Sequence, residues 1–426
     1  MSGNKIRILV FPCGSENALE IHQALRYSVH VELFGASSVE DCGRYVFERY
    51  YGELPNIKEK SFDEVFQRLI RDLGIEVVFA THDTVHEYLS SRASQMGFFL
   101  VNGDEEAAAI ARRKSATYRM FSDCCWVPRV FGALKDADSW PVVVKPDFGQ
   151  GGQNIVLAHG PDEARMAMEG MSEPVVVEHL PGMEITVDCF TDRNRKLVWI
   201  GPRTRDRVRA GITMRSRFLD PDPEIDAIAQ KINERLKLRG PWFFQLKKDG
   251  RNAWKLLEIS CRVAGSMVSQ RARGINLPLM AVQDYLGRSL IVLSEPRIRM
   301  IERHIKTRAV LEFQYDTVYV DLDDTLVVNG YASPIMVAFL YQSVNEGKKV
   351  VLITRHEANV EETLRNAKIP KTIFNEIIHL RNGESKAEHV RPASIFIDNH
   401  FPERHAVFVR QNIPVFDADA VEFFIK

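Results

Sequence analysis

Residues 318–327 read VYVDLDDTLV, an apolar run that ends on two aspartates two positions apart, followed by a threonine. The Val318-Tyr319-Val320 buildup predicts a buried parallel strand that delivers Asp321 and Asp323 to its carboxyl end, where open α/β sheets bind their ligands. Carboxylates at i and i+2 of an extended strand project to one side and repel unless a cation sits between them. A hard divalent ion such as Mg2+ suits such oxygens. The same letters also fit an acidic turn that caps a helix through Asp323 or Asp324.

Downstream the pattern continues. Residues 348–355, KKVVLITR, form a second apolar strand ending in Thr354; Lys386 lies in a polar stretch; and SIFIDN, 394–399, is a third strand ending in Asp398. This ordered set resembles the four motifs of the haloacid dehalogenase superfamily, mostly phosphatases and phosphotransferases. The resemblance implies Asp321 as nucleophile forming an aspartyl-phosphate, and Asp323 as the acid that protonates the leaving oxygen and later activates water. It implies Thr354 and Lys386 as anchors of the phosphoryl oxygens, and a metal held by Asp321, the Asp323 carbonyl and Asp398. Asn399 stands where many members carry a second acid, with Glu403 as its possible replacement. The intervals from Asp321 to Thr354 and from Thr354 to Lys386 each leave room for about one helix and one strand, so no large inserted cap is expected.

The first hundred residues alternate strand and helix. KIRILVFPCGSENALEIHQAL, HVELFGAS and IRDLGIEVVFATHDTVHEYLS give a doubly wound α/β pattern. A dinucleotide GxGxxG is absent, and Gly14 reads as a tight βα turn. His82 and Asp83 lie at a strand's carboxyl end, where they either contact a ligand or, in the case of Asp83, cap the next helix.

Between 110 and 262 comes a second constellation. IARRKSATYRMF predicts a helix carrying Lys114, and SWPVVVKPDFGQGGQNIVLA places Lys145 on a strand before a loop with Gly149, Gly151 and Gly152. Glycine lets backbone amides approach phosphate oxygens, and a strand-borne lysine adds fixed charge. A plain hairpin turn would use the same glycines. It is no Walker loop, because the lysine precedes the glycines. Glu178 ends a strand, Glu184 begins the next, and Gln245 with Glu258-x-Ser260-x-Arg262 end two more, so Gln and Glu can grip metal bound to a triphosphate.

Together these residues resemble the ATP-grasp superfamily, and more particularly its carbamoyl phosphate synthetase and biotin carboxylase branch, over roughly residues 1–312. The resemblance implies ATP and Mg2+ (or Mn2+) as cofactors, with Lys114, Lys145 and the loop from Gly149 to Gly152 on the phosphates. Glu178, His179 and Leu180 would form the adenine hinge, Glu184 would face the ribose, Gln245 and Glu258 would hold Mg2+, and Arg262 would stabilise the transferring phosphoryl group. Where this branch has Glu-x-Asn-x-Arg, this chain has Ser260, a weaker hydroxyl ligand in place of an amide oxygen. The implied organisation is a Rossmann-like pre-ATP-grasp α/β domain at 1–112, an α+β ATP-grasp domain at 113–312, and an uncapped haloacid dehalogenase-like Rossmannoid domain at 314–426.

GPRTRDRVRAGITMRSRF puts Arg203, Arg205, Arg207 and Arg209 on alternate residues. If extended, they share one face and call for a phosphate or carboxylate substrate; the alternative is a solvated edge balanced by Asp206 and the acids of 220–226. Aromatic residues do not interleave the arginines, so nucleic acid is not expected. The whole chain has 426 residues, 45% hydrophobic and 27% charged, with a net charge of −1, which gives no support for membrane or nucleic-acid attraction. Six cysteines without CxxC spacing, no signal-type segment and no apolar run near a membrane span lead to the expectation of a reduced, cytoplasmic protein. The expected activity is bifunctional. An ATP-dependent ligase would join a small-molecule carboxylate to an amine or similar nucleophile through an acyl phosphate. A Mg2+-dependent phosphatase would act on a phosphorylated, anionic compound. The alternative is a phosphatase regulated by a nucleotide-binding module. The oligomeric state stays open.

Overall fold

The computed structural model describes residues 5–149, 154–304, 306–381 and 383–426. Two compact units divide it, Met1–His304 and Ile305–Lys426, so the division falls before the Gln314 region that the sequence pattern favours.

The N-terminal unit opens with a five-stranded parallel sheet: β1 (Ile6–Phe11), β2 (Val31–Ala36), β3 (Arg49–Tyr51), β4 (Val77–Ala80) and β5 (Phe99–Leu100), in the order β3-β2-β1-β4-β5. The order reverses between β1 and β4, which opens a crevice at their carboxyl ends. Because both faces are covered, β1 alternates between two cores: Ile8 and Val10 pack one way, Leu9 and Phe11 the other.

A four-stranded antiparallel sheet follows, built from β6 (Val130–Phe131), β7 (Val142–Pro146), β8 (Val156–Ala158) and β9 (Pro174–Glu178) in the order β6-β9-β7-β8. A second antiparallel sheet contains β10 (Glu184–Thr191), β11 (Leu197–Thr204), β14 (Gly240–Lys248) and β15 (Trp254–Ser260), ordered β11-β10-β14-β15. The short strands β12 (Arg207–Arg209), β13 (Ile212–Arg217) and β16 (Met300–Glu302) make a third. Along β10 and β14, Ile185, Val187, Cys189, Trp242, Phe244 and Leu246 alternate onto one face and pack on the helix Pro223–Arg235. Each such side chain contributes about 2 kcal/mol on burial. On the other face Phe190 and Phe243 join the core around β1, while Thr186, Gln245 and Glu258 leave a polar stretch where the candidate site lies.

In the C-terminal unit, β17 (Thr317–Val320), β20 (Lys349–Thr354), β21 (Glu376–His379), β22 (Ser394–Ile397) and β23 (Val415–Phe416) form a parallel sheet ordered β21-β20-β17-β22-β23. A small hairpin, β18 (Val327–Val328) and β19 (Tyr331–Ala332), follows β17 directly. The interval from Asp321 to Thr354 holds this hairpin, the helix Pro334–Asn345 and β20; the next interval holds the helix Val360–Asn366, a short 3-10 turn and β21. Among the described residues no helix is long and apolar enough to cross a membrane.

Candidate functional site

In the N-terminal unit the site is built on strand register. Arg203 lies opposite Thr186, Thr186 opposite Gln245, and Gln245 opposite Glu258, so one row of four polar residues crosses the sheet. Cross-strand partners share a face, which sets Gln245 and Glu258 side by side. One step along the same face, Glu184 lies opposite Lys247 and pairs with Arg205 at 2.7 Å. Ser260 sits two residues beyond Glu258 on β15 and therefore on the same side.

Two lysines reach this row from other elements. Lys145 ends the apolar run of β7 and is buried; its Nζ donates to the Tyr118 hydroxyl at 2.7 Å, which in turn donates to the Leu257 carbonyl at 2.7 Å. That relay ties the lysine to the residue before Glu258. Burial chiefly, with help from Lys114, pushes Lys145 down to about 7, against the pull of Glu258. Lys114 is also lowered, by burial, and Glu258 again opposes. The sequence pattern predicts one helix through this region, but the chain breaks at extended Arg113, and Lys114 begins a new helix, Lys114–Met120. Asp147 fixes that break: it accepts from the Ser115 amide at 2.7 Å and hydroxyl at 2.9 Å, and pairs with Arg113 at 3.2 Å. The glycine loop thus leaves from a stapled root, with Gly149 exposed at its start. Gly151 and Gly152 lie outside the described residues.

The segment expected to form the hinge runs from Glu178, whose Oε1 accepts from the Arg129 amide at 2.8 Å, through half-buried His179 to buried Leu180. Gly182 then passes so close to β14 that a Cβ there would come within 2.6 Å of the Lys248 Cβ. Glycine is needed for this approach.

Arg262 lies beyond β15 and forms a bidentate pair with Asp83, Nε to Oδ1 and Nη2 to Oδ2, each at 3.0 Å. Ser260 Oγ donates to the same carboxylate at 2.8 Å. The cap of the helix Asp83–Ser90 is His82, whose Nδ1 accepts from the Thr84 amide at 3.2 Å, and so Asp83 is not the cap that the sequence allows.

The expected arginine row is corrected. β11 ends at Thr204 and β12 starts at Arg207, so the four arginines do not share one extended face. Arg203 is fully buried in a pair with Asp188 at 2.7 Å, Arg205 pairs with Glu184, and Arg207 pairs with Glu302. Arg209 alone of the four is exposed without an ion pair among the described residues. Neighbouring acids neutralise three of the four, which removes the reason to read the series as a cradle for substrate.

In the C-terminal unit, β17, β20 and β22 are adjacent; Asp321 and Asp398 directly follow β17 and β22, and Thr354 ends β20. Lys386 Nζ bridges two of them, 2.6 Å from Asp321 Oδ1 and 2.7 Å from Asp398 Oδ2, all three nearly out of solvent. Burial above all, and Asp398 after it, raise Asp321 to about 6 although Lys386 pulls the other way. Lys386 itself is raised, because the two carboxylates outweigh its burial. Thr354 is buried and its Oγ1 accepts from the His356 amide at 3.1 Å.

Asp321 and Asp323 do not lie on one extended strand, as the sequence pattern predicts, and they differ in burial and partners. The strand stops at Val320 and the chain turns, with Asp324 at φ 54°, so the Asp323 side chain is half exposed while Asp321 is buried. Asp323 instead meets His356 Nδ1 at 2.8 Å and 3.0 Å, and His356 Nε2 contacts Thr363 Oγ1 at 2.7 Å. Asn399 is occupied with Thr325, and Glu403 pairs with Arg355 at 2.9 Å. Tyr118, Asp147 and His356 are absent from the sequence reading. Their signals were a position four residues after Lys114 on one helix, and polar residues directly after Lys145-Pro146 and Thr354-Arg355, at strand ends.

Residues 171–308 match the family model described as ATP-grasp in the biosynthetic pathway with Ter operon. Biotin carboxylase from Campylobacter jejuni, solved with β,γ-ATP, superposes with a TM-score of 0.57 at 13% identity, over 69% of this chain and 73% of that one. The N-terminal unit has the ATP-grasp fold. An L-amino acid ligase from Bacillus licheniformis superposes with a TM-score of 0.53 at 17% identity, over 67% of this chain and 75% of that one. Pyruvate carboxylase from Rhizobium etli does so at 0.56 and 15%, over 69% of this chain, which spans only 29% of that longer chain. No curated protein matches the chain. Within the ATP-grasp fold, Gln245, Glu258 and Ser260 are the residues that could hold a divalent ion. Among the described residues there is no group of three or more His, Cys, Asp or Glu that could do so alone. An amide, a hydroxyl and one carboxylate suit Mg2+ that arrives on a nucleotide, since that ion is commonly shared between few protein ligands and substrate phosphates.

Proposed function

We propose that the N-terminal unit is an ATP-dependent ligase that forms a carbon–nitrogen bond between a small carboxylate and an amine or similar nucleophile. The observation that supports this most is the convergence of Lys145, held through Tyr118 to Leu257, with the Gln245–Glu258 pair on one sheet face. The carboxylate oxygen attacks the γ-phosphorus and ADP leaves, giving an acyl phosphate; the amine then displaces phosphate and the amide forms with loss of a proton. Lys145 and Lys114 hold the phosphate oxygens, and Arg262 faces the charge that develops on the transferred group. Mg2+ on Gln245, Glu258 and Ser260 would neutralise the triphosphate. The similarity to an L-amino acid ligase supports carboxylate and amine as substrate classes.

The C-terminal unit is proposed as a haloacid dehalogenase-like phosphatase acting on a phosphorylated, anionic compound. Asp321 attacks phosphorus, Asp323 protonates the leaving oxygen and later takes a proton from water, and Thr354 and Lys386 hold the phosphoryl oxygens. Bound Mg2+ would offset the negative charge of the phosphoryl group and the two carboxylates. Support comes from the way Lys386 draws Asp321 and Asp398 together at adjacent strand ends. A second reading, a nucleotide-binding regulatory module beside a phosphatase, is favoured by one observation: Ser260 and Arg262 are both engaged by Asp83.

Lys145→Ala and Glu258→Gln should abolish ADP formation and leave hydrolysis of a generic phosphomonoester intact, whereas Asp321→Asn should do the reverse. Retention of wild-type ADP production by both ligase variants would place the nucleotide elsewhere. ATP consumption that never depends on a carboxylate would leave the regulatory reading standing.

A further inference from the structure

Asp83 follows β4 at the crevice between β1 and β4, yet its carboxylate engages the last residue of β15 and the arginine just beyond it. It accepts the Arg262 fork and the Ser260 hydroxyl, 179 and 177 positions away in sequence. The remaining Arg262 donor, Nη1, reaches the Val263 carbonyl at 3.2 Å, and the guanidinium lies over the Phe243 ring at 5.5 Å. Every edge of that fork is therefore fixed. Asp83 is the first residue of its helix, where the helix dipole favours negative charge. Burial works against ionisation, but Arg262 outweighs it and the carboxyl stays well below the usual range.

We propose that Asp83 is a positioning residue of the nucleotide site, one that holds Arg262 in its working orientation and makes the Ser260 hydroxyl competent to ligate a divalent ion. The proposal rests on the ligase reading above and deepens it. A hydroxyl that donates its proton to a carboxylate is fixed in one rotamer and is a stronger lone-pair donor, the effect known for ligand residues anchored by an outer carboxylate. Ser260 shares the face of Glu258 and Gln245, and because it spends only its proton on Asp83, its lone pairs stay available on the side where the nucleotide's metal belongs. An amide oxygen at this position would need no such help; a serine does. Asp83 and Ser260 thus act as one unit, and the weak hydroxyl is compensated from another layer of the fold.

The test uses the full chain, a non-hydrolysable ATP analogue and Mn2+ as the probe, with analogue affinity measured by calorimetry and Mn2+ affinity by electron paramagnetic resonance. Asp83→Asn and Ser260→Ala should each weaken Mn2+ binding in the presence of the analogue by about 10- to 100-fold, a larger loss than either causes in analogue affinity without metal. The double variant should be no weaker than Asp83→Asn alone, and Ser260→Asn should restore Mn2+ affinity to the Asp83→Asn protein. Equal losses with and without metal would show a merely structural role and overturn the proposal. Ser260→Ala leaves the Asp83–Arg262 pair in place and carries the test alone if Asp83→Asn does not fold; unchanged Mn2+ affinity there also overturns it. Wild-type protein that binds no analogue sinks the ligase reading and the proposal with it, whereas tight wild-type binding with an unaffected Asp83→Asn variant sinks the proposal only.

Discussion

Asp321→Asn should make the C-terminal unit more stable at neutral pH. The carboxyl lies at about 6, raised from 3.8 chiefly by burial, and its side chain is only 7% exposed, so solvent screening removes little of the effect. The folded form therefore holds this proton more tightly than the unfolded chain. Stability falls as pH rises through the window between those two values, and the full penalty applies above it. At roughly 1.4 kcal/mol per pKa unit the penalty is about 3 kcal/mol. Asparagine mimics the protonated acid and escapes it. For a unit of this size that corresponds to a rise in midpoint of about 10 °C. All five tryptophans precede Ile305, so fluorescence reports the N-terminal unit. Hydrogen exchange of the peptides spanning 317–320 and 394–397 reports the other unit. With EDTA present, exchange there should slow by up to about 100-fold in the variant at pH 8, and the two proteins should match at pH 4. A variant equally stabilised at both pH values, or destabilised at pH 8, would refute the reasoning.

Other outcomes follow from the same contacts. Lys145, lowered to about 7, leaves the unfolded chain binding more protons above that pH, so the nucleotide-free protein should gain stability as pH rises from 7 towards 10. Nucleotide phosphates should restore its proton; ATP titrations at pH 8 in two buffers of different ionisation heat should reveal uptake, and identical heats would contradict this. Asp188→Ala strands a buried guanidinium and should cost about 3–5 kcal/mol in urea unfolding followed by tryptophan fluorescence, with a loss under about 1 kcal/mol as the contrary result. His356→Ala frees Asp323, so phosphate release should drop about tenfold from alkyl esters and little from aryl esters, whose leaving groups need no proton. Equal losses on both would show that His356 does not act through the acid.

Much of the fold was legible because the strands are strongly patterned. The apolar runs at 6–11, 318–320, 349–353 and 394–397 became parallel strands, and the alternation through 184–191 became a strand with one apolar face. The register that sets Gln245 beside Glu258 is not legible in the sequence, since no local signal fixes which residues of the two strands oppose each other. The arginines misled for a related reason. Alternation at 203–209 mimics a strand face, but Asp188 and Glu302 come from segments far along the chain and neutralise it. Asp83 shows the same limit: it, Ser260 and Arg262 each stand out in the sequence, but nothing local says that they meet.

The sheet of the C-terminal unit also has a history written into its order. Val318 to Val320 sit at its centre, paired with β20 on one side and with β22 on the other. This strand leaves the ribosome first, but the neighbour that closes its second edge comes only after most of the unit has been made. At about 5–20 residues per second, that edge stays open for several seconds. Parallel pairings across such sequence distances also form slowly once the chain is complete. An open edge of unpaired N–H and C=O groups on a strand with buried side chains is a template for another chain. Shortened products that lack the Ser394–Lys426 segment should therefore collect in aggregates seeded at Thr317–Val320, and the yield of folded protein should depend on translation speed and chaperone supply as much as on final stability.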